Sequence, residues 1–257
     1  MTAWRLLQTG PRPGRWNMAC DATLLARAAA PTLRLYAWDP PAVSLGHHQP
    51  APTSEELARL HALGLDWVRR PTGGRAVFHG GPEEELTYSV VAPIGAAGIP
   101  AGLGDAHRWI HATIAAGLGA LGATVALAPR EGGAARATPP LGRLACFAAS
   151  VPGEITAGGR KLVGSAQRRS RRTLLQHGSI PLAGDQGPLA EVWPGSLPAE
   201  RPANLSAVAG RRIAFDDLAR ALVAVFEEAL DARLEPGVLA AEEESGIEAL
   251  AFEPAFA

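Results

Sequence analysis

The sequence predicts a single α+β domain in which helices flank a mixed, largely antiparallel sheet. Two observations support this class. Segments with strand-like patterns alternate with amphipathic helical segments along most of the chain. In addition, no linker divides the 257 residues cleanly into two parts, and no internal repeat is visible. We expect a catalytic-type domain over residues 17–234, followed by a short C-terminal appendage over residues 235–257.

The first half of the chain alternates helices and strands. Asn17 is a candidate N-cap for a helix over residues 17–29, because apolar side chains follow it at helical spacing. Thr53 begins a short helix that ends at Gly64. Strands are predicted at "TLRLYAWD", at "AVSLG" after a proline turn, at "LDWVRR" and at "ELTYSVVAP", the last apolar enough to be central.

The second half begins with a helix over residues 105–122. A loop rich in proline and glycine, residues 128–143, follows it. Three strand-like runs come next: "GEITAGG", "RKLVGSAQRR" and "TLLQHGSIPL". A helix over residues 215–234 has aspartates in its first turn and an apolar stripe along one face.

Composition excludes several classes of function. A formal charge of −1 argues against a general nucleic-acid-binding protein. The two cysteines form no readable disulfide framework and fit a reducing cytosol. Polar residues and prolines interrupt the N-terminal segment where a signal peptide needs an apolar run, and no stretch is long enough to span a membrane. We expect a soluble cytoplasmic protein that is a monomer.

One basic residue differs in kind from the rest. Of the 24 basic residues 23 are arginine, and Lys161 is the single lysine. Lysine carries a compact charge and can lose its proton in a suitable site, whereas a guanidinium effectively cannot. Lys161 is therefore either a residue that acts in proton transfer beside a reacting atom or a lysine that persists by chance.

Cys146 lies 15 positions before Lys161, at the end of the predicted loop. A cation within about 4–6 Å favours the thiolate and lowers the pKa of a thiol. A thiolate can attack a thioester and hold the acyl group covalently. The alternative for Cys146 is a small buried apolar residue. We assign that structural role to Cys20, on the apolar face of the first helix.

Two glycine-bearing segments are candidates for a binding pocket. In "RRPTGGRAVFHG", Gly73 and Gly74 would let backbone approach a ligand, with Arg70 and His79 on either side, although a glycine pair is also usual in a plain hairpin.

The second segment is "GRKLVGSAQ". On a continuous strand, Lys161 and Val163 would share one face. The small residues Gly164, Ser165 and Ala166 would then leave space beside the strand for a ligand, unless the segment is simply a packed hairpin.

Two further features have less definite interpretations. His107 and His111 have helical i,i+4 spacing but lack the glutamate of a zinc-protease motif, so we expect no metal. The run "QRRSRR" places four arginines at a predicted hairpin tip. It would either dock an acidic protein partner or serve as a solubilising turn.

Together these segments resemble the biotin/lipoate protein ligase superfamily, in its lipoate-ligase and octanoyltransferase branch. "RRPTGGRAVFHG" followed by "ELTYSVVAP" is similar to the branch's RR-x-x-GG-x-x-V-x-H block and its TYSV strand. "WDPPAVSLGHHQP" resembles its W-x-P-x-x-SLG-x-x-Q strand pair, and "GRKLVGSAQRR" with "LLQHGSIPL" resembles its lysine block. "ACFAASVPGEI" is similar to the CF-x-x-x-S context of the octanoyltransferases.

The resemblance implies transfer of an octanoyl group from acyl carrier protein to a lysine of an apo lipoyl domain, such as glycine-cleavage H protein, in lipoate biosynthesis. It implies Cys146 as the nucleophile and Lys161 as the residue that lowers the thiol pKa and polarises the acyl carbonyl. No cofactor and no metal would be required. Seven residues would line the acyl pocket: Arg70, Gly73, Gly74, His79, Gly164, Ser165 and Ala166.

Three alternatives stay open. An ATP-dependent lipoate–protein ligase would need Mg-ATP and form lipoyl-AMP. An octanoyl amidotransferase would move the acyl group between lipoyl domains. A non-enzymatic acyl-binding module would have a pocket but no dependence on Cys146.

Overall fold

The computed structural model describes residues 3–27, 30–129, 152–197 and 201–251. Cys146, and residues 130–143 of the predicted loop, lie outside these ranges. The strands are β1 (Trp4–Arg12), β2 (Thr32–Trp38), β3 (Ala42–Leu45), β4 (Asp66–Arg69), β5 (Val77–His79), β6 (Glu85–Pro93), β7 (Ala126–Leu127), β8 (Ile155–Ala157), β9 (Arg160–Lys161), β10 (Gly164–Arg169), β11 (Thr173–Pro181) and β12 (Leu234–Pro236). The helices are α1 (Gly14–Arg27), α2 (Ser54–Ala62), α3 (Leu103–Ala120), α4 (Gly187–Val192), α5 (Leu205–Ala209), α6 (Phe215–Leu230) and α7 (Ala241–Ala251).

The main sheet has six strands in the order β10-β11-β6-β2-β1-β12. The pairs from β10 to β2 are antiparallel, whereas β1 runs parallel to both β2 and β12. Two small three-stranded sheets accompany it, β4-β3-β5 and β7-β8-β9. The predicted class, a mixed and largely antiparallel sheet flanked by helices, is confirmed.

The two faces of the main sheet differ in chemistry because side chains alternate along each strand. One face presents apolar side chains such as Leu35 and Ile180 to α3 and α6, and forms the largest core cluster. The opposite face carries polar side chains, among them Arg34 on β2 and His177 on β11, which contact α1. This second face is buried as well, so its polar groups must find partners inside the protein.

The small sheet β4-β3-β5 covers part of that polar face. Its outer side packs on α2 and α4 through an apolar cluster that includes Val43, Leu60 and Trp193. A capping box fixes the start of α2, since Thr53 and Glu56 exchange side-chain and backbone hydrogen bonds. The polar residues of this sheet are thereby held against the main sheet.

Two local predictions are wrong. Helix α1 begins at Gly14, and Asn17 lies inside it, where its Nδ2 donates to the carbonyls of Arg12 and Ala37. The run "RKLVGSAQRR" is two strands in different sheets, because β9 ends at Lys161 and β10 begins at Gly164. Lys161 and Val163 therefore do not share one strand face. The fully buried Leu162 and Val163 form the link between the two sheets.

Both ends of the described chain join the same body. Strand β12 pairs with β1 at the edge of the main sheet, and α7 packs on α1. Arg5 donates two hydrogen bonds of 2.8 Å to the carboxylate of Glu243, which ties α7 to β1. Strand β1, which precedes residue 17, and helix α7, which follows residue 235, are thus both part of one fold. In the part of the chain described, no helix has the length and apolar character needed to cross a membrane.

Candidate active site

A narrow cavity, partly open to solvent, lies between the polar face of the main sheet and the small sheet. Five of the predicted pocket residues line it: Arg70, His79, Gly164, Ser165 and Ala166. Apolar surface from Met18, Trp38 and Val77 completes much of the wall. Gly73, Gly74 and Lys161 are not among the lining residues.

The glycine pair shapes the rim of this cavity. Gly74 has φ +92°, a conformation that favours glycine, and a side chain there would contact Arg70 and Ala166. Gly46 approaches so closely that a Cβ on it would lie 2.0 Å from the carbonyl oxygen of Gly74. We expected the glycine pair to let backbone approach a ligand. In the structure, the close backbone approach is between Gly74 and Gly46, in the loop after β3.

Arg70 holds that rim in place. Its guanidinium donates to the carbonyls of Gly73 and Arg75, at 3.0 and 2.8 Å, and to the carbonyl and hydroxyl oxygens of Ser44, both at 2.8 Å. Five donors in a planar fork allow one side chain to bridge several acceptors in this way. Arg70 thus couples the glycine loop to β3 while it forms part of the cavity wall.

His79 is fixed on both nitrogens and on one ring face. Nδ1 lies 2.7 Å from Oε1 of Glu85, Nε2 lies 2.6 Å from Oγ of Ser44, and the ring stacks on Trp38 at a centroid distance of 3.7 Å. Since Ser44 accepts from Arg70, its own proton is available to Nε2 of His79. This arrangement gives His79 a fixed position in the cavity wall.

Lys161 is buried and paired with an acid. Its Nζ lies 2.6 Å from Oε1 of Glu154, and both side chains are almost fully shielded from solvent. The carboxylate compensates an ammonium charge that would otherwise be costly to bury. Sequence reasoning did not identify Glu154, because seven positions and a turn separate it from the lysine.

A chain of hydrogen bonds connects this region to the cavity. Nδ1 of His111 lies 2.7 Å from the carbonyl oxygen of Gly153, which can only accept, so the proton of the neutral ring is on Nδ1. Nε2 then accepts from Oγ of Ser165 at 2.8 Å. Tyr88 donates to the same Ser165 oxygen at 2.7 Å and itself accepts from Gln176. Ser165 is oriented from two sides before any ligand binds.

His111 is neutral in the folded protein. Burial lowers the pKa of His111 to about 3, and the positive charge of nearby Lys161 contributes in the same direction. The same two causes lower the pKa of His107. Lys161 therefore lies close to both imidazoles, next to the serine that lines the cavity.

The low pKa of His111 predicts acid sensitivity. An unfolded histidine binds a proton near pH 6.5, whereas folded His111 stays neutral down to about pH 3, so its contribution to stability is lost as pH falls through that interval. We expect the free energy of unfolding, measured in urea, to be lower at pH 5.0 than at pH 7.5. His111→Gln should make this dependence shallower, whereas His61→Gln, at an exposed position of α2, should leave it as in the wild type. An unchanged slope in His111→Gln would contradict the assignment.

Asp21 is the hub of a second buried network. It accepts from Arg34 at 2.7 Å, from Ser89 at 2.8 Å, from Tyr36 at 3.0 Å and from Nδ1 of His177 at 2.7 Å. Burial alone would raise the pKa of its carboxyl, but Arg34 and His177 hold that pKa below its ordinary value. Tyr36 and His177 both line the cavity, so the network fixes one of its walls.

This network also reaches the glycine loop. Burial lowers the pKa of His177, so the ring is neutral, with its proton on Nδ1 facing Asp21. Its Nε2 lies 2.6 Å from Oγ of Thr72, one residue before the glycine pair. The loop that forms the rim is thus attached to a buried ion pair.

Removal of the hub charge should destabilise the fold strongly. Asp21→Asn keeps the shape but leaves Arg34 buried without a counter-charge, which costs about 3–5 kcal/mol in such cases. We expect guanidinium unfolding to show a loss of this size. Asp217→Asn, which breaks an exposed pair with Arg220, should cost less than about 1 kcal/mol. Equal losses in the two variants would be inconsistent with this role for Asp21.

One hydroxyl in the cavity wall has no partner. Ser179 is 2% exposed, and its Oγ makes no hydrogen bond within the part of the chain described. A buried hydroxyl without a partner is costly, and a ligand with an acceptor atom would relieve that cost. The cavity wall therefore contains a hydroxyl that can donate to a ligand, among largely apolar side chains.

Cys20 has the structural role expected of it. It is fully buried among apolar side chains of α1 and the sheet. Burial raises the pKa of its thiol to about 11, which keeps the group protonated and unreactive. Within the described residues, no three side chains of the metal-binding types are grouped around a common point.

Sequence reasoning missed most of the buried polar partners. Asp21, Arg34 and Ser89 lie in segments that were read only as helix or strand. The available signal was a charged side chain at an inward position of an otherwise apolar strand, as in "TLRLYAW". No comparable local signal marks Glu85, Glu154 or His177. Their partners lie on other elements of the fold.

Comparison with known proteins agrees with the fold. Residues 13–227 match the family described as the lipoyl protein ligase A/B catalytic domain. The chain is 41% identical to octanoyltransferase LipM of Kyrpidia tusciae, covering 97% of this chain and 95% of that protein. It is 40% identical to octanoyltransferase LipM of Symbiobacterium thermophilum, with 97% and 94% covered. A crystal structure of lipoate-protein ligase A bound with ATP superimposes with a TM-score of 0.78 at 25% identity, covering 99% of this chain and 96% of that one. This chain therefore belongs to the lipoyl protein ligase A/B catalytic-domain family, in its octanoyltransferase branch.

Proposed function

We propose that this protein transfers an octanoyl group from acyl carrier protein to a lysine of an apo lipoyl domain, such as that of glycine-cleavage H protein, in lipoate biosynthesis. The full-length similarity to octanoyltransferases is the observation that carries the assignment. The apolar cavity walls suit an alkyl chain, because burial of methylene groups is favourable. The proposed reaction uses no metal and no cofactor.

The proposed reaction has two acyl-transfer steps. The thiolate of Cys146 attacks the thioester carbonyl, the carrier thiolate leaves, and an octanoyl-Cys146 thioester remains. The neutral ε-amine of the acceptor lysine then attacks that thioester, forms an amide bond, and releases Cys146. The proton lost by the attacking amine returns to the departing thiolate. Neither step consumes ATP.

Cys146 lies outside the described residues, and we assign its role from the resemblance of "ACFAASVPGEI" to the octanoyltransferases. The described chain before residue 130 is hydrogen-bonded to the described chain after residue 151. Gly153 donates to the carbonyl of Ala128 at 2.8 Å, and Ala128 donates to the carbonyl of Glu154 at 2.8 Å. Glu154, which is ion-paired with Lys161, follows Cys146 by eight positions in the sequence.

We assign two tasks to Lys161. Its ammonium favours the thiolate form of Cys146, and it stabilises the negative charge that develops on the acyl oxygen. Burial supports both tasks, because a charge shielded from water acts more strongly on its neighbours. The hydroxyl of Ser179, which has no partner among the described residues, is available as a further donor to an oxygen of the bound acyl group.

Mass spectrometry after mixing with octanoyl-acyl carrier protein tests the proposal. Without ATP, we expect the intact mass to increase by one octanoyl group, with the thioester located on Cys146. Addition of an apo lipoyl domain should then move the octanoyl group to the acceptor lysine.

Three results would reject parts of the proposal. Modification of the acceptor only with Mg-ATP and free octanoate or lipoate would indicate a ligase, an activity that the similarity to lipoate-protein ligase A makes the main competitor. Acylation only from an octanoylated lipoyl domain would indicate an amidotransferase. Absence of all three reactions would leave an acyl-binding module.

A further inference from the structure

The basic residues of this protein are unevenly distributed around the cavity. Residues 67–81 and 155–184 together hold nine of the 24 Lys and Arg residues and none of the 25 Asp and Glu residues. These two segments contain the glycine loop and strands β9 to β11, which build the cavity and its rim. Glu154 neutralises Lys161, but the arginines still give these two segments an excess of positive charge in a chain of formal charge −1.

The structure brings part of this charge together beside the cavity mouth. Arg69 donates to the carbonyls of Gly46 and Gln49, at 3.2 and 2.6 Å, and Arg168 donates to the carbonyl of Pro71 at 2.7 Å. The two loops joined in this way carry the exposed residues His47 and His48 and the glycine pair. We call Arg69 and Arg168, the two arginines beside these loops, the cationic rim.

Among the described residues, no acid forms an ion pair with the cationic rim. The acceptors of Arg69 and Arg168 are backbone carbonyls, and within the described residues no carboxylate forms an ion pair with either guanidinium. Slight burial and the neighbouring Arg168, His48 and Arg69 lower the pKa of His47, which indicates that these groups lie close together.

The hairpin between β10 and β11 extends this charge outward. Arg171 and Arg172 are exposed at its tip, no more than about 10–15 Å along the chain from Arg168. Neither forms an ion pair within the described residues. Because only Gln167 separates Arg168 from Ala166 in the cavity wall, the positive surface runs from the mouth to the tip of the hairpin.

We infer that the cationic rim and the hairpin tip form the docking surface for an acidic protein, the carrier that delivers the acyl group to the cavity. This inference rests on the proposed function. A donor tethered to a protein must place its acyl chain in the cavity while its own surface lies beside the mouth, where this charge is concentrated. A surface of opposite charge would accelerate that encounter about 10-fold to 1,000-fold at low salt.

An acidic protein fits better than a nucleic acid. The positive surface is local, and acidic groups occupy other parts of the exterior, including the first turns of α6 and α7. A nucleic acid would meet these groups along its length, whereas a small acidic protein would meet only the surface beside the cavity.

Charge reversal at exposed positions tests the inference. We would measure initial rates with two donors, octanoyl-acyl carrier protein and the octanoyl thioester of N-acetylcysteamine, for the wild type, for His48→Glu and for the double variant Arg171→Glu/Arg172→Glu. With the carrier protein, we expect kcat/KM to fall at least about tenfold in the double variant, with kcat little changed. With the small neutral donor, the rates should stay within about twofold of the wild type. Arg220→Glu, on α6, is the matched control and should not respond with either donor.

Salt and direct binding complete the test. Raising ionic strength from about 0.05 to 0.3 M should lower the wild-type rate with the carrier and affect the double variant much less. Binding of unacylated carrier protein to each variant, measured by fluorescence anisotropy, should weaken in parallel with the rate. This measurement does not depend on transfer.

If the wild type transferred octanoyl from neither donor, the proposed function would be rejected, and the binding measurement alone would test the docking surface. Unchanged carrier binding in both variants would overturn the inference, as would equal or tighter binding of duplex DNA at the same surface.

Discussion

Cys146→Ala is expected to reduce octanoyl transfer by on the order of 10³-fold or more and to abolish the covalent octanoyl adduct. A missing nucleophile removes the two-step route entirely, and losses of this order or larger follow the removal of a nucleophile in other acyl-transfer enzymes. Steady-state transfer to an apo lipoyl domain and intact-mass analysis measure the two effects separately.

The second cysteine provides the matched control for this substitution. Cys20→Ala removes a buried thiol that burial keeps protonated, so it should change stability slightly and leave transfer intact. If Cys146→Ala kept wild-type transfer, the thioester route would be rejected whatever the adduct data showed. If Cys20→Ala lost the adduct, the assignment of the nucleophile would have to be reconsidered.

Lys161→Arg is expected to lower kcat by about 10²-fold to 10⁴-fold while the protein stays folded. Arginine preserves a positive charge beside Glu154, but its planar guanidinium is too large for the shielded space of an ammonium, so the charge would not lie at the same point beside the thiol and the acyl carbonyl. Overpacking of this kind costs about 1–3 kcal/mol, which a domain of this size tolerates.

Single-turnover experiments divide this effect between the two steps. Slow formation of the octanoyl-Cys146 thioester would indicate that Lys161 acts on the thiol or the first carbonyl. Normal adduct formation followed by slow release to the acceptor would locate its action in the second step. Undiminished turnover in Lys161→Arg would show that the lysine has no catalytic role. Circular dichroism and thermal unfolding of the same variant would identify a simple failure to fold.

Local sequence signals predicted the regular elements well. The capping residue Thr53, the alternation in "TLRLYAW" and the apolar run of "ELTYSVVAP" all correspond to observed helix or strand ends within a few residues. These features depend on interactions over a few positions, such as a cap or a two-residue period. The predictions therefore needed no information about distant parts of the chain.

Signals that depend on distant partners were misread or overlooked. Strands β1 and β12 were not anticipated, because each is completed by a parallel neighbour far along the sequence. Asn17 resembles a helix cap in isolation, but in the fold its amide serves the carbonyls of Arg12 and Ala37. The break between β9 and β10 is likewise a consequence of two sheets meeting at Leu162 and Val163.

In the candidate site, too, some features follow from nearby residues and others depend on partners far along the chain. Residue type and spacing made Lys161 and Cys146 candidates, because the chain has a single lysine and a cysteine 15 positions before it, but their roles came from the resemblance to the octanoyltransferases. The fold decided that Glu154 neutralises Lys161, that His111 orients Ser165, and that Asp21 joins β2 to β11. Such contacts join residues far apart in sequence, and only burial makes them energetically decisive, since a polar group shielded from water must find its partner inside the protein.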